Sequence, residues 1–266
     1  MKHALLTAVL LLGSTLPAAA QECTAITSIP TTITTSGRYC LTQHLAMLQT
    51  TGDAITVAAS YVSIDLKGFE LAGAQIPSST SYGIRAVGQT DITIRNGTLR
   101  GFYTAVSLEG SVGASRNHLV ENLRVHYALY SGLRVSGQTS IVRSNEILGL
   151  GGTTAQGSSP TITGIAVFGN RNVVEKNVIT GFPSGGSSIG IIVNPSSNTH
   201  IDANHVMEAG TGVYVGNSSA VFVTGNQLTA GSTGVLFWAS SGKYRDNLTI
   251  GFTNPYLGGT DAGNNQ

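Results

Sequence analysis

Gly190-Ile-Ile-Val193, Gly212-Val-Tyr-Val215 and Gly234-Val-Leu-Phe237 are one short unit repeated at steps of 22 residues. Toward the N-terminus the unit returns as Gly164-Ile-Ala-Val167, Gly132-Leu-Arg-Val135, Ala105-Val-Ser-Leu108 and Gly83-Ile-Arg-Ala-Val87, at steps of 26, 32, 27 and 22. Within each unit apolar residues stand two apart, the period of a strand that buries one face. A second β-branched run and then an asparagine follow. These asparagines are Asn96, Asn122, Asn145, Asn177, Asn204, Asn226 and Asn247. Ala54-Ile-Thr-Val57 with Val62-Ser-Ile-Asp-Leu66 forms an earlier copy, in which Gly68 stands near the asparagine position.

A step of about 22 residues is too short for a pair of helices and fits one coil of three short strands and three turns. The variable steps then mark insertions in turns. Coils stack at roughly 4.8 Å, so each residue position becomes a column running along a solenoid. Asparagine at one turn of successive coils can hydrogen-bond its neighbours above and below, so all seven are expected to be structural. The sequons Asn96-Gly-Thr98 and Asn247-Leu-Thr249 fall on such positions, which argues against glycosylation. The expectation is an all-β, single-stranded parallel β-helix of about eight coils over 54–250, with an N-terminal cap over 21–53 and a C-terminal cap and tail over 251–266. Phe252, Pro255 and Tyr256 are expected to fold over the C-terminal end, and the Gly- and Asn-rich stretch from Gly258 to Gln266 to be loose.

Composition agrees. Charged residues make up 10% while glycine numbers 34, a balance that suits stacked strands joined by tight turns better than helices. Residues 1–20 read as a secretory signal: Lys2 and His3, the apolar run Leu5 to Leu12, and the small residues Ala18-Ala19-Ala20. That run is too short to span a bilayer, so export to the periplasm or medium is expected, without membrane insertion. In an oxidising compartment Cys23 and Cys40 form a disulfide, worth on the order of 3 kcal/mol for a loop of this length. Without Lys2, 13 basic residues remain against 13 acidic ones, which leaves no net charge to drive nucleic-acid binding.

The stretches Ser36-Gly-Arg-Tyr-Cys40, Val62-Ser-Ile-Asp-Leu-Lys-Gly-Phe-Glu-Leu71, Ile94-Arg-Asn-Gly-Thr98 and Tyr244-Arg-Asp-Asn-Leu248 resemble the right-handed parallel β-helix repeat proteins of the pectate-lyase-like superfamily, including NosD-like exported bacterial proteins. The resemblance covers nearly the whole mature chain. It implies a right-handed solenoid and leaves function open, because lyases, hydrolases, epimerases and non-catalytic members share these positions.

Insertions at 74–82, 126–131, 149–163 and 182–189 precede successive Gly-Ile strands and share one edge. In polysaccharide-cleaving members such loops wall a groove over the following strand, which directs attention to the outward column Arg85, Ser107, Arg134, Ala166, Ile192, Tyr214 and Leu236. Arg85 and Arg134, with Tyr82, Tyr103, His126, Tyr127 and Tyr130 nearby, suit a uronate: arginine pairs a carboxylate bidentately and a tyrosine or histidine abstracts a proton. The preferred reading is plainer: the arginines are ordinary solubilising residues, and His126 and the tyrosines pack loop against barrel. No paired carboxylates for hydrolysis and no calcium-type acidic set stand out. His200, Asp202 and His205 are spaced poorly for a metal, so neither metal nor cofactor is expected.

These observations predict an exported monomer that binds a polysaccharide or cell-envelope component along its side. One alternative is a metal-independent polysaccharide lyase or epimerase acting on uronate polymers with Arg85, Arg134, His126 and Tyr127; for either reading Tyr82, Arg85, Tyr103, Tyr130, Arg134 and Tyr214 are the candidate substrate-binding residues. The other is a structural or adhesive module contacting protein through the apolar strip Ile192, Tyr214 and Leu236.

Overall fold

A computed structural model describes residues 23–111, 113–157, 160–183 and 187–266; the segment 1–20, read as an export signal, lies outside them. The described strands, 26 in number, form a right-handed solenoid of about nine turns in which every pairing is parallel. Each turn contributes extended chain to each of three faces, and Thr93–Arg100, Leu119–His126 and Gln227–Trp238 run over from one face into the next. The first face carries Asp53–Val57, Tyr82–Val87, Thr104–Glu109, Ser131–Ser136, Ile162–Phe168, Ser188–Val193, Thr211–Gly216 and the end of Gln227–Trp238. Its inward columns, such as Ile84, Val106, Leu133, Ile165, Ile191, Val213 and Val235, are fully buried and form one continuous core with the other faces.

The repeat begins with glycine for a steric reason. A Cβ on Gly132 would stand 2.6 Å from the carbonyl oxygen of Gly164, the equivalent residue one coil on. Gly164, Gly190 and Gly212 meet the next coil in the same way, at 2.6–2.7 Å. A side chain there would crowd the backbone of the next coil, so glycine fills most of this column, while Ala54 and Ala105 occupy it in the early coils.

The asparagine ladder stands at the turn from the second face to the third, and it is shorter than the repeat suggests. Its rungs are Asn145, Asn177, Asn204, Asn226 and Asn247, all almost fully buried. Each Nδ2 donates both to the next rung's Oδ1 at 2.9–3.1 Å and to a backbone carbonyl of the preceding coil at 2.9–3.0 Å. Each Oδ1 also accepts the backbone N–H one coil earlier, from Leu123 through Asn226. Asn96 and Asn122 are not rungs. They sit one position earlier, at φ 60° and 53°, in the left-handed column that Ser144, Lys176, Ala203, Gly225 and Asp246 occupy in later coils. Asparagine tolerates that conformation, so the same residue type recurs in two adjacent columns for two reasons.

The tail expected to be loose completes this ladder. Asn265 accepts from the backbone N–H and Nδ2 of Asn247, both at 3.1 Å, and donates to the Asp261 carboxylate at 2.6 Å. Strand pairing continues through both segments read as caps: Thr24–Ile26 pairs with Gly37–Leu41, and Leu248–Leu257 runs along Gln227–Trp238. The Cys23–Cys40 disulfide ties the first strand to the strand on the next coil. At the other end the rings of Tyr244 and Tyr256 stack at 4.8 Å, and Tyr256 and Phe252 pack against the core.

A second polar column stands at the turn into the second face. The backbone N–H of His118 donates to Ser140 Oγ, that of Ser140 to Asn172 Oδ1, and that of Asn172 to Thr199 Oγ1. The His118 ring is 2% exposed. Ser115 Oγ donates to the carbonyl of Ser136 at 2.7 Å, so His118 Nε2 must donate to Ser115 Oγ, leaving Nδ1 to accept the N–H of Ile92. A protonated ring would aim a second N–H at that backbone donor. Burial holds the ring neutral and lowers its pKa to about 4, the Asp91 charge opposing the shift only in part.

Two outcomes are expected. Asn177→Ala removes four buried hydrogen bonds and should destabilise the fold by about 1–3 kcal/mol in urea titration, whereas Asn122→Ala, outside the ladder, should cost under about 1 kcal/mol; equal costs would contradict the ladder's extent. His118, with its folded pKa depressed, contributes stability that is full above its unfolded value near 6.5 and is lost as pH falls toward 4, at most about 3 kcal/mol. His118→Asn should therefore flatten the pH dependence of unfolding between 6.5 and 4, and parallel curves would show that the ring does not titrate this way.

Candidate functional site

Register places Arg85, Ser107, Arg134, Ala166, Ile192, Tyr214, Leu236 and Leu257 at equivalent positions on successive coils of the first face. The four insertions all fall in the turn from the third face to the first, beside this column. The long one runs backward along the solenoid. Thr153 donates its backbone N–H to Leu129, Thr154 to Pro77, and Gln156 Nε2 reaches the Tyr103 hydroxyl at 2.6 Å. That segment walls the N-terminal half of the face and leaves Ile192, Tyr214 and Leu236 half-exposed.

The N-terminal half is polar and internally paired. Arg85 donates to both oxygens of Glu109, Nε at 3.1 Å and Nη2 at 3.3 Å, and stacks over the Tyr82 ring at 4.7 Å. Ser107 Oγ adds a hydrogen bond to Glu109 at 2.8 Å. Burial alone would raise the Glu109 pKa, but the bonds from Arg85 and Ser107 and the charge of Arg134 bring it below its usual value. It is therefore a carboxylate at neutral pH, and Arg85 is neutralised by it. Tyr103 lies stacked on Tyr130, with centroids 4.8 Å apart, and meets Tyr82 edge-on at 6.1 Å. Burial pushes the Tyr103 hydroxyl up to about 12 and raises that of Tyr82, so both remain protonated and neither is a ready base.

Arg134 is placed differently. Its guanidinium lies 4.4 Å over the Phe168 ring, and among the described residues it has no ion pair or hydrogen-bond partner. It opens into a depression of about 260 Å³ lined by Tyr130, Thr163, Phe168, Ile192, Asn194 and Tyr214, among others. An unpaired cation framed by aromatic planes, hydroxyls and an amide is equipped to bind a polar, ring-shaped ligand.

Arg134, Tyr130 and Tyr214 thus share one depression, while Tyr82, Arg85 and Tyr103 form the adjoining polar cluster. His126 and Tyr127 lie elsewhere. His126 ends a strand of the third face beside Arg100 and Leu148, and Tyr127 begins the turn after it, its ring packed over Gly149. They contact one another at 6.4 Å and do not line the depression. Glu109, Phe168 and Gln156 escaped the sequence reading. Glu109 and Phe168 each stand two residues beyond a member of the outward column, a signal the period of two carries; nothing local marks Gln156. His200 stacks on Phe222 at 4.9 Å, and among the described residues no three His, Cys, Asp or Glu side chains cluster to hold a metal. Also among them, no helix is long and apolar enough to cross a membrane.

Comparison with known proteins agrees with this architecture. Residues 70–251 match the family described as "right handed beta helix region". No curated protein matches the sequence. Among solved structures, the enzymatically active domain of tailspike protein 2 from bacteriophage CBA120 superposes with a TM-score of 0.56 at 12% identity, covering 84% of this chain and 42% of the other. The catalytic domain of a GH87 alpha-1,3-glucanase in complex with nigerose gives 0.52 at 10% identity, covering 91% and 63%. The chain thus spans less than two thirds of either structure, and at these identities the likeness is one of fold.

Proposed function

The chain belongs to the right handed beta helix family, and we propose that it binds a polysaccharide along its first face, over the depression that holds Arg134. The observation that carries this reading is the Arg134 guanidinium, unpaired among the described residues and 4.4 Å over the Phe168 ring, beside Tyr130, Ile192 and Tyr214. Sugars present hydroxyl or carboxylate edges and apolar ring faces, and this surface offers a partner to each. The solved alpha-1,3-glucanase of similar fold holds nigerose, so a saccharide ligand suits the architecture. The Cys23–Cys40 bridge supports a location in the periplasm or medium.

A lyase or epimerase has less support. Arg85 is spent on Glu109, Tyr82 and Tyr103 keep their protons, and His126 and Tyr127 do not line the depression. The binding reading needs none of them to react.

Calorimetric titration with polygalacturonate, alginate and a neutral β-glucan tests the proposal. At least one should bind, and Arg134→Ala should weaken it by about tenfold or more, the loss expected of a charged hydrogen-bond donor. Arg85→Ala should change affinity much less. Absence of binding to all three, or full affinity in Arg134→Ala, would overturn the reading. New absorbance from unsaturated ends, abolished by Arg134→Ala, would replace it with a lyase.

A further inference from the structure

Trp238 is the chain's one tryptophan, and it is 62% exposed. It ends the strand Gln227–Trp238 on the first face, directly above Gly216 on the preceding coil. The space above that glycine is taken by Tyr214: a Cβ on Gly216 would stand 2.5–3.0 Å from the tyrosine ring and hydroxyl. Tyr214 therefore leans from the depression toward the Trp238 column. Leu236 and the 49% exposed Leu257 continue the apolar surface on the same and the next rung.

The backbone under this platform is fixed. Trp238 O accepts the N–H of Asn217 at 3.1 Å and Ser240 Oγ at 2.7 Å. Asn217 Nδ2 also donates to Asn194 Oδ1 at 3.2 Å, which sets a polar rim of amides and hydroxyls beside the rings. A few apolar side chains are far fewer than the 20–30 residues a side of a standard protein interface. An exposed aromatic surface with a polar rim, continuous with a depression that already offers Tyr130 and Tyr214, matches a row of pyranose rings instead.

We infer that Trp238, with Tyr214 and Leu236, forms a second subsite that stacks on the apolar face of a sugar ring, so that the bound glycan runs parallel to the solenoid axis from Arg134 toward the C-terminal end. This rests on the polysaccharide-binding reading and adds a direction and a length. Arg134 and Leu236 are four rungs apart, about 19 Å at the strand spacing. Only an extended oligosaccharide engages both ends. Contacts at the far end are independent of charge, so they accept neutral or acidic rings alike.

The lone tryptophan reports directly on its own site. Size-graded oligogalacturonates and cello-oligosaccharides, each from dimer to octamer, are titrated while Trp238 fluorescence and binding heat are followed in parallel. Within the series that binds, the longer members should shift or quench the emission and the dimer should not. Trp238→Ala should weaken the longest member about tenfold, leave the dimer unchanged and retain wild-type circular dichroism. Binding heat without a fluorescence change, together with unaltered affinity in Trp238→Ala, would overturn the second subsite and leave the first intact. Silence in both readouts for every member would overturn both.

Discussion

Everything in this molecule depends on the parallel pairing of one coil with the next at the strand spacing. It forces residues a coil apart in sequence to stand about 4.8 Å apart in space, whatever the length of the turns between them. The step from Gly132 to Gly164 includes ten residues more than the step from Gly190 to Gly212, yet all four occupy one column. Inserted residues are expelled to one edge, and there they wall the first face. The site is thus a by-product of register: the core columns keep the coils aligned, and alignment brings Arg85, Ser107, Arg134, Ile192 and Tyr214 into one line.

Parallel stacking also sets the chemistry of the interior turns. A coil that turns inward buries backbone donors, and each must find a partner. Asparagine solves this with a side chain that donates and accepts along the stack, and Asn145 to Asn265 form such a line. The first coils solve it otherwise: Leu123 and Gly97 occupy the ladder column, and Asn122 and Asn96 take the left-handed turn beside it. His118 is a local substitute of the same kind, a ring whose neutral tautomer carries one donor and one acceptor into a column of Ser, Asn and Thr.

The fold was legible in the sequence because its information is periodic. Strand period, coil step and glycine position are each repeated, so single exceptions do not hide them. The ladder's true extent was not legible, since a shift of one residue between columns leaves the residue type unchanged. Nor was the order of the tail visible, because Asn265 becomes a rung only once the last coil brings it beneath Asn247. The outward column could be written down from the repeat alone. What each member of it meets could not: Arg85 and Arg134 look alike in sequence, but Glu109 satisfies the first and Phe168 frames the second. The reach of residues 153–156 back to Pro77 and Tyr103 is likewise a matter of tertiary packing, with no sequence period behind it.

If register builds the site, a bound glycan must lie where the register puts it. The most direct measurement is a crystal structure of the protein soaked with whichever uronate or neutral oligosaccharide binds it in solution. The account predicts sugar rings along the first face, one edge against the Arg134 guanidinium and a ring face toward Tyr214. Sugar rings over the second or third face, with the depression beside Arg134 unoccupied, would contradict it.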